Sequence, residues 1–344
     1  MKTRKYMTMN KSFKFWTDAS RKAALGQSLT PYILGILLAA SSSLQDENLT
    51  INWLLALAGL IGVAFAHMGL NLLDDYFDYK KGAVAQRQSL LDGGMRARSH
   101  KCNYIDSGEA TLKDTLIVAS LFICIALVIG AVILVFRGPL VLLFVAIGLL
   151  LGLLYAGPPL RLSYHGFGEL VVGLVFGPLI VIPAYFVTLG QIDPLAILAS
   201  IPVGLLAANI VNAHAIMDYQ SDKDAERSTL VIMLGSKRAG LYASILLIVL
   251  SYLTLILGVI TQVFSITSLV TLITLPFAYG LIKLLNEYVK DPDSTAERKW
   301  WMGPMGSWEA IKEAGIDWFM IRWYLSRNIL MGFVLILGLA SFFR

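Results

Sequence analysis

Four residues near the end of one long apolar run set the chemistry open to this sequence. They are Asn71, Asp74, Asp75 and Asp78, in the string Asn71-Leu-Leu-Asp74-Asp75-Tyr-Phe-Asp78-Tyr-Lys-Lys. If the helix implied by the run continues through them, the spacing i, i+3, i+4, i+7 stacks all four on one face. Three carboxylates so placed repel one another and the negative end of the helix dipole, unless something cationic binds. Mg²⁺ is the natural guest, a hard ion that takes one or two carboxylates and completes its shell with phosphate oxygens and water. The bland alternative is a solvated helix end, which sits poorly with the apolar run leading into it. A second string, Asn212-Ala-His214-Ala-Ile-Met-Asp218-Tyr-Gln-Ser-Asp222-Lys223-Asp224, ends another apolar run. Asp218 and Asp222 are again one turn apart on a shared face, with His214 one turn earlier and Lys223 and Arg227 following. Two such ends, each holding one Mg²⁺, can share a single diphosphate. Acidic groups at membrane depth are costly and default to function.

The elements that must position these residues are membrane helices. The chain has 344 residues, 57% hydrophobic and only 15% charged, with a mean hydropathy of +0.69. Soluble domains are about a quarter charged. Nine apolar stretches approach the length needed to span a bilayer, at about 28–44, 53–73, 115–136, 138–156, 168–189, 194–214, 238–261, 263–286 and 327–343. The reading is an all-α polytopic transmembrane bundle of about nine helices, one membrane domain over residues 1–344. Stretches three and four are parted only by Arg137-Gly138-Pro139, a tight turn.

Lys and Arg mark the cytoplasmic loops. With the N-terminus inside, that side collects seven basic residues from Lys2 to Lys22, seven from Lys80 to Lys113, Arg161, four from Lys223 to Arg238, and those from Lys283 to Arg327; the other side has Arg137 and Arg344. Both acidic strings then fall on the cytoplasmic face of a multi-pass protein of the cell (inner) membrane. The loop 287–326 holds Trp300, Trp301, Trp308, Trp318 and Trp323 among charges, the pattern of an amphipathic stretch lying at the lipid interface, with a packed soluble loop as the alternative. The net charge of +5 is spread over many loops without a basic stripe, so nucleic acid is not expected as a partner. Cys102 and Cys124 suggest neither a disulfide framework nor a metal site. The basic, polar segment up to Gln27 has no apolar core or small-residue cleavage site of a signal peptide.

The pair of acidic strings resembles the two Asp-rich motifs of the UbiA superfamily of membrane prenyltransferases, and the nine-span plan is similar too. A third segment narrows the resemblance: Tyr155-Ala-Gly-Pro158-Pro159-Leu-Arg161-Leu-Ser-Tyr164-His165-Gly166-Phe-Gly168-Glu169. With Asn71–Gly82 and Arg227-Ser-Thr229-Leu, it is most similar to the branch that prenylates 1,4-dihydroxy-2-naphthoate in menaquinone synthesis. The resemblance covers roughly residues 20–285. The chain departs from that branch at His214, where Asn is usual, at Asp74, where Asn is frequent, and in the length of 287–326.

The resemblance implies Mg²⁺-dependent transfer of a polyprenyl group from its diphosphate to an aromatic acceptor. It implies that Asp74, Asp75 and Asp78 hold one Mg²⁺ and Asp218 and Asp222 the other. Lys223, Arg227 and Arg161 would contact phosphate, Arg by a bidentate fork. Asn71 would orient the diphosphate or complete a metal shell, His214 would lie in the substrate site, and Tyr155, Tyr164 or Tyr219 would face the allylic cation. The apolar chain would lie between helices and open to lipid.

Plainer readings stand beside these. Lys80 and Lys81 read as orientation charges. His67 is either a hydrogen-bonded helix contact or an acceptor contact, and Glu169 either anchors its loop or binds acceptor. His165, in a Gly-rich loop, can do either too. Gly157, Pro158 and Pro159 read as the turn ending stretch four. Other acceptors (4-hydroxybenzoate, homogentisate or an alcohol) stay open. A CDP-alcohol phosphatidyltransferase would need its motif in Asp92-Gly93-Gly94-Met95-Arg96-Ala97-Arg98, where Ala97-Arg98 is one residue late. A cation transporter would place its carboxylates near the midplane, not at span ends beside basic loops.

Overall fold

The computed structural model describes residues 11–92 and 102–343. Each of the nine apolar stretches forms a helix: α1 (Lys22–Gln45), α2 (Trp53–Lys81), α3 (Leu112–Arg137), α4 (Leu140–Ala156), α5 (Gly168–Leu189), α6 (Pro194–Met217), α7 (Lys237–Ile260), α8 (Ile266–Lys290) and α9 (Asp317–Ala340). Among the described residues, eight are long and apolar enough to cross a membrane, and α4 is a shorter apolar helix. Residues 93–98 of the alternative nucleotide-alcohol string lie outside the described part.

Polar residues at the helix starts fix where the apolar runs begin. Asn52 accepts from the Leu55 amide, Asp193 from Leu195 with Pro194 in the first turn, Ser236 from Ala239, and Thr111 and Asp114 form a reciprocal capping box. The expected turn between α3 and α4 forms at Gly138, whose φ of +80° a side chain would strain. Arg137, beside it, donates to the carbonyls of Val187 (2.8 Å) and Thr188 (2.9 Å), two of the acceptors that α5 leaves open at its C-terminus.

The bundle is organised around α6, which packs against α1, α5, α7, α8 and α9, while α2 pairs with α3. Contact with α5 is backbone to backbone. A Cβ on Gly204 would sit 2.5 Å from the Gly173 carbonyl, and one on Gly177 2.5 Å from that of Ser200. Small residues of this kind let membrane helices approach where burial of apolar surface gives no driving force. α5 is itself broken at Gly177, between pieces ending at Phe176 and starting at Pro178.

Two boundaries differ from the hydropathy reading. α2 runs eight residues past 73, through the acidic string to Lys81. α9 starts at Asp317, not near 327, and is the most buried span in the bundle. The Trp-rich segment is not one continuous helix. Its described part before α9 holds one turn at Trp300–Met302 and a short helix at Trp308–Glu313. Trp308, Trp318 and Trp323 are buried in protein, Trp301 stacks on Phe277, and Trp300 alone of the five is fully exposed.

Candidate active site

Because α2 does not break until the left-handed Gly82, Asn71, Asp74, Asp75 and Asp78 all lie on it. Asp75 and Asp78 are 2% and 4% exposed, an expensive position for a carboxylate without cationic or hydrogen-bonding partners. The partners arrive from three other segments. Arg21, which precedes α1 in a left-handed turn, donates through Nη2 to Asp74 Oδ2 (2.9 Å), Asp75 Oδ1 (2.8 Å) and the Asn71 carbonyl (3.0 Å). Burial opposes the Arg21 charge, but Asp75 and Asp74 outweigh it and hold its pKa above that of free arginine. Tyr104 donates to Asp75 Oδ2 (3.3 Å); burial first, and the Asp75 charge next, push its phenol upward, so it remains a donor. Tyr164 donates to Asp78 Oδ1 at 2.6 Å.

Asn71 turns its amide inward. Nδ2 donates to the Ser20 carbonyl (3.0 Å) and lies 2.9 Å from His67 Nε2, while His67 Nδ1 meets the Ser28 hydroxyl. His67 is thus a hydrogen-bonded helix contact that orients Asn71.

The second string is not one continuous helix. α6 ends at Met217, Asp218 takes φ −89° and ψ 6°, and a short helix covers Tyr219–Asp224. The Asp222 amide still donates to the Asp218 carbonyl (2.8 Å), so the acids remain one turn apart, both buried, with Lys223 exposed. His214 packs at a tilt against Phe319 and stacks on Trp323 of α9, at ring separations of 5.1 and 6.1 Å. The Tyr219 hydroxyl donates to the Gly235 carbonyl (2.9 Å), and Asn212 Nδ2 to the Gly240 carbonyl (2.9 Å) and Ser244 Oγ (2.8 Å), which gives both residues structural work.

Tyr164 and Arg227 join the two strings. The Ser228 amide donates to the Tyr164 carbonyl (3.2 Å), and the Arg227 guanidinium lies 5.0 Å from the centre of the Tyr164 ring. Lys81 Nζ lies 3.5 Å from the same centre. Burial opposes the Arg227 charge; Asp222, then Tyr155, Asp78 and Tyr164, hold its pKa above that of free arginine. One guanidinium is therefore within electrostatic reach of an acid from each string, and Arg161 is within reach of Lys81. Tyr155 ends α4, its hydroxyl 3.8 Å from where a Gly168 Cβ would stand. His165 is exposed, with Nδ1 3.1 Å from the Arg161 carbonyl, and Glu169 is buried.

Arg21, Tyr104 and Lys81 are the residues the sequence reading missed. Arg21 and Lys81 count equally well as charges that orient the chain in a membrane, and nothing in their spacing ties them to the acids. Tyr104 is a lone aromatic in a polar loop.

The donor set suits Mg²⁺. It is carboxylate oxygen throughout, and a cation already lies between Asp74 and Asp75, in the form of the Arg21 guanidinium. Among the described residues no three acidic, His or Cys side chains converge on a metal-binding point. That fits an ion held by one or two carboxylates and completed by a substrate's phosphates, rather than an all-protein cage.

Comparison with known proteins decides the family. Residues 28–303 match the UbiA prenyltransferase family. The chain belongs to that family. It is a multi-pass membrane prenyltransferase. The 1,4-dihydroxy-2-naphthoate octaprenyltransferase of Bacillus subtilis (strain 168) is 29% identical over 64% of this chain and 66% of its own length. The protein of that description from Mycobacterium tuberculosis (strain ATCC 25618 / H37Rv) is 26% identical, over 73% of this chain and 80% of its own. A UbiA homolog from Archaeoglobus fulgidus, solved bound to GPP and Mg²⁺, superposes with a TM-score of 0.54 at 14% identity, covering 91% of this chain and 99% of that one. At that identity the likeness establishes the UbiA fold.

Proposed function

We propose that this prenyltransferase moves a polyprenyl group from an isoprenoid diphosphate to an aromatic acceptor, 1,4-dihydroxy-2-naphthoate, in the branch of chemistry that leads to menaquinone. The observation that supports the reading is one buried acid from each string, Asp78 and Asp222, within electrostatic reach of the Arg227 guanidinium, with Tyr164 donating to Asp78. The naphthoate octaprenyltransferases among the relatives support the choice of acceptor.

In this reading one or two carboxylates of the set Asp74, Asp75 and Asp78 would hold one Mg²⁺, and Asp218 and Asp222 would hold the other. Bound Mg²⁺ would neutralise the diphosphate and improve it as a leaving group. Arg227, Arg161 and Lys81 bind phosphate oxygens, Arg227 with its planar fork, and Lys223 serves at the rim. Arg21 yields its place between Asp74 and Asp75 or shares it with a phosphate. Asn71, its NH₂ committed to Ser20 and His67, offers its carbonyl oxygen. The allylic C–O bond breaks with diphosphate as the leaving group, the carbocation alkylates the electron-rich acceptor ring, and the ring regains aromaticity by releasing a proton or, at the carboxylate-bearing carbon, carbon dioxide. Tyr164 and Tyr155 give that cation an aromatic wall. His214, in its aromatic stack, borders the acceptor. The prenyl chain lies between helices toward lipid. The Lys/Arg excess at this end of the bundle supports an active site facing the cytoplasm from the cell membrane.

The test is purified protein in lipid nanodiscs, one labelled polyprenyl diphosphate, Mg²⁺, and a panel of 1,4-dihydroxy-2-naphthoate, 4-hydroxybenzoate and homogentisate. The reading expects Mg²⁺-dependent diphosphate release with naphthoate as the best acceptor. Turnover confined to another acceptor would overturn the acceptor assignment, and no prenyl transfer to any of them would overturn the aromatic class.

A further inference from the structure

The segment between α8 and α9, with the buried start of α9, is not used by the chemistry above, yet it is tied to the second acid pair. α6 ends at Met217, and the last four carbonyls of a helix have no partner within it. Tyr288, near the end of α8, donates its hydroxyl to the Met217 carbonyl at 2.8 Å, one residue before Asp218. The Tyr288 ring is itself fixed. It stacks on Trp318 at 5.8 Å and 15°, with the Arg322 guanidinium 5.1 Å from its centre and Lys237 Nζ 5.0 Å.

Arg322 is fully buried, which is costly for a guanidinium in a spanning helix. It binds three segments at once. Nε donates to the Leu284 carbonyl of α8 (2.9 Å), Nη1 to the Trp318 carbonyl of α9, and Nη2 to Ser294 Oγ (3.3 Å) in the connecting segment. From the other side His214, on the last turn of α6, is packed by Phe319 at a tilt and stacked by Trp323. The break in the helix at Asp218 is therefore gripped from α8 and from α9.

We propose that Tyr288 and Arg322 are positioning residues that hold Asp218 and Asp222 in register with the first acid pair. The inference rests on the two-cluster reading of the site. Left to itself, a helix end carrying two buried carboxylates splays toward water, because like charges and the helix dipole both disfavour it. The Tyr288 hydroxyl sets the direction of the break, and Arg322 makes the segment 291–316 part of the brace.

The experiment is Mn²⁺ binding by electron paramagnetic resonance, with inorganic pyrophosphate present, on the full chain in nanodiscs, beside the Mg²⁺ dependence of prenyl transfer. Tyr288→Phe removes one hydroxyl and keeps the stack on Trp318. One neutral hydrogen bond is worth about 1 kcal/mol, so Mn²⁺ affinity falls about fivefold and the Mg²⁺ midpoint rises by the same factor. The maximal rate at saturating Mg²⁺ stays within about twofold. Ser294→Ala, which loosens the Arg322 fork from a distance, shifts both curves the same way by a smaller factor. Wild-type Mn²⁺ affinity in both variants would overturn the brace, and so would a lowered unfolding temperature with metal curves unmoved, the signature of a packing role. Asp218→Ala is the companion: if it binds Mn²⁺ normally, the two-cluster reading fails, and if it loses Mn²⁺ while Tyr288→Phe does not, the brace fails alone.

Discussion

Tyr164→Phe isolates the joint between the two acid clusters. The wild-type hydroxyl donates to Asp78 Oδ1 at 2.6 Å, with Tyr164 and Asp78 both buried. A hydrogen bond to a charged group contributes about 1.5–3 kcal/mol, and about 1.4 kcal/mol is a factor of ten. Loss of the hydroxyl should thus lower kcat/KM for the prenyl diphosphate by roughly 10- to 150-fold. Phenylalanine keeps an aromatic face for Lys81 and Arg227, so the cost of the hydroxyl is read alone; Tyr164→Leu removes that face too and should lose more. The assay is initial-rate release of diphosphate from labelled donor at saturating Mg²⁺, in nanodiscs, with the folded fraction measured for each variant. Burial first, and then the charge of Asp78, raise the Tyr164 phenol above its ordinary pKa, so it keeps its proton later as pH rises. Between about pH 5 and 9 the hydroxyl stays a donor, and wild-type and Tyr164→Phe profiles should have the same shape, offset vertically. A kcat/KM within twofold of wild type, in folded protein, would refute the joint.

Four further outcomes follow from the same geometry. Asp75→Asn and Asp218→Asn should each reduce prenyl transfer by at least about a thousandfold while membrane insertion persists, because each removes a charge that ligation requires; near-normal rates in either would count against the two-ion arrangement. Arg227→Lys should raise the KM for the donor about tenfold, since a point charge replaces a planar fork, and an unchanged KM would remove that contact. Arg21→Ala should lower the unfolding temperature without metal, by the equivalent of about 1 kcal/mol, because solvent reaches about a third of the Arg21 side chain and screens the pair, and Mg²⁺ should recover more stability in the variant than in wild type; no difference between them would deny Arg21 its place as the standing cation. Gly204→Ala should destabilise by about 1–3 kcal/mol, because its Cβ would press on the Gly173 carbonyl, and thermal unfolding in detergent that matches wild type would contradict the close α5–α6 crossing.

Much of the molecule could be read from its residues, for identifiable reasons. Hydropathy located the nine apolar helices of the described residues because each carries a run that lipid or other helices must cover. The acid strings were visible because carboxylates next to such runs are rare and costly. What the sequence hid is tertiary. Hydropathy scores Arg322 as polar and so starts the last span ten residues late, although that guanidinium is satisfied by two carbonyls and a hydroxyl inside the bundle. The break at Asp218 has no local signal, because the carbonyl before it is bonded from Tyr288, 71 positions away. Arg21 on Asp74 and Asp75 spans more than 50 positions and is indistinguishable in sequence from an orientation charge. The tryptophans suggested a lipid interface by composition, and the burial of Trp308, Trp318 and Trp323 in protein has no local signal.

The most direct measurement is Mg²⁺-dependent binding of inorganic pyrophosphate, by calorimetry, to wild type, Asp78→Asn, Asp222→Asn and the double variant. One ligand gripped by both helix ends predicts that either substitution alone removes nearly all the affinity and that the second adds little. Two independent losses that simply add, or wild-type binding with one cluster disabled, would show that the ends do not share a diphosphate.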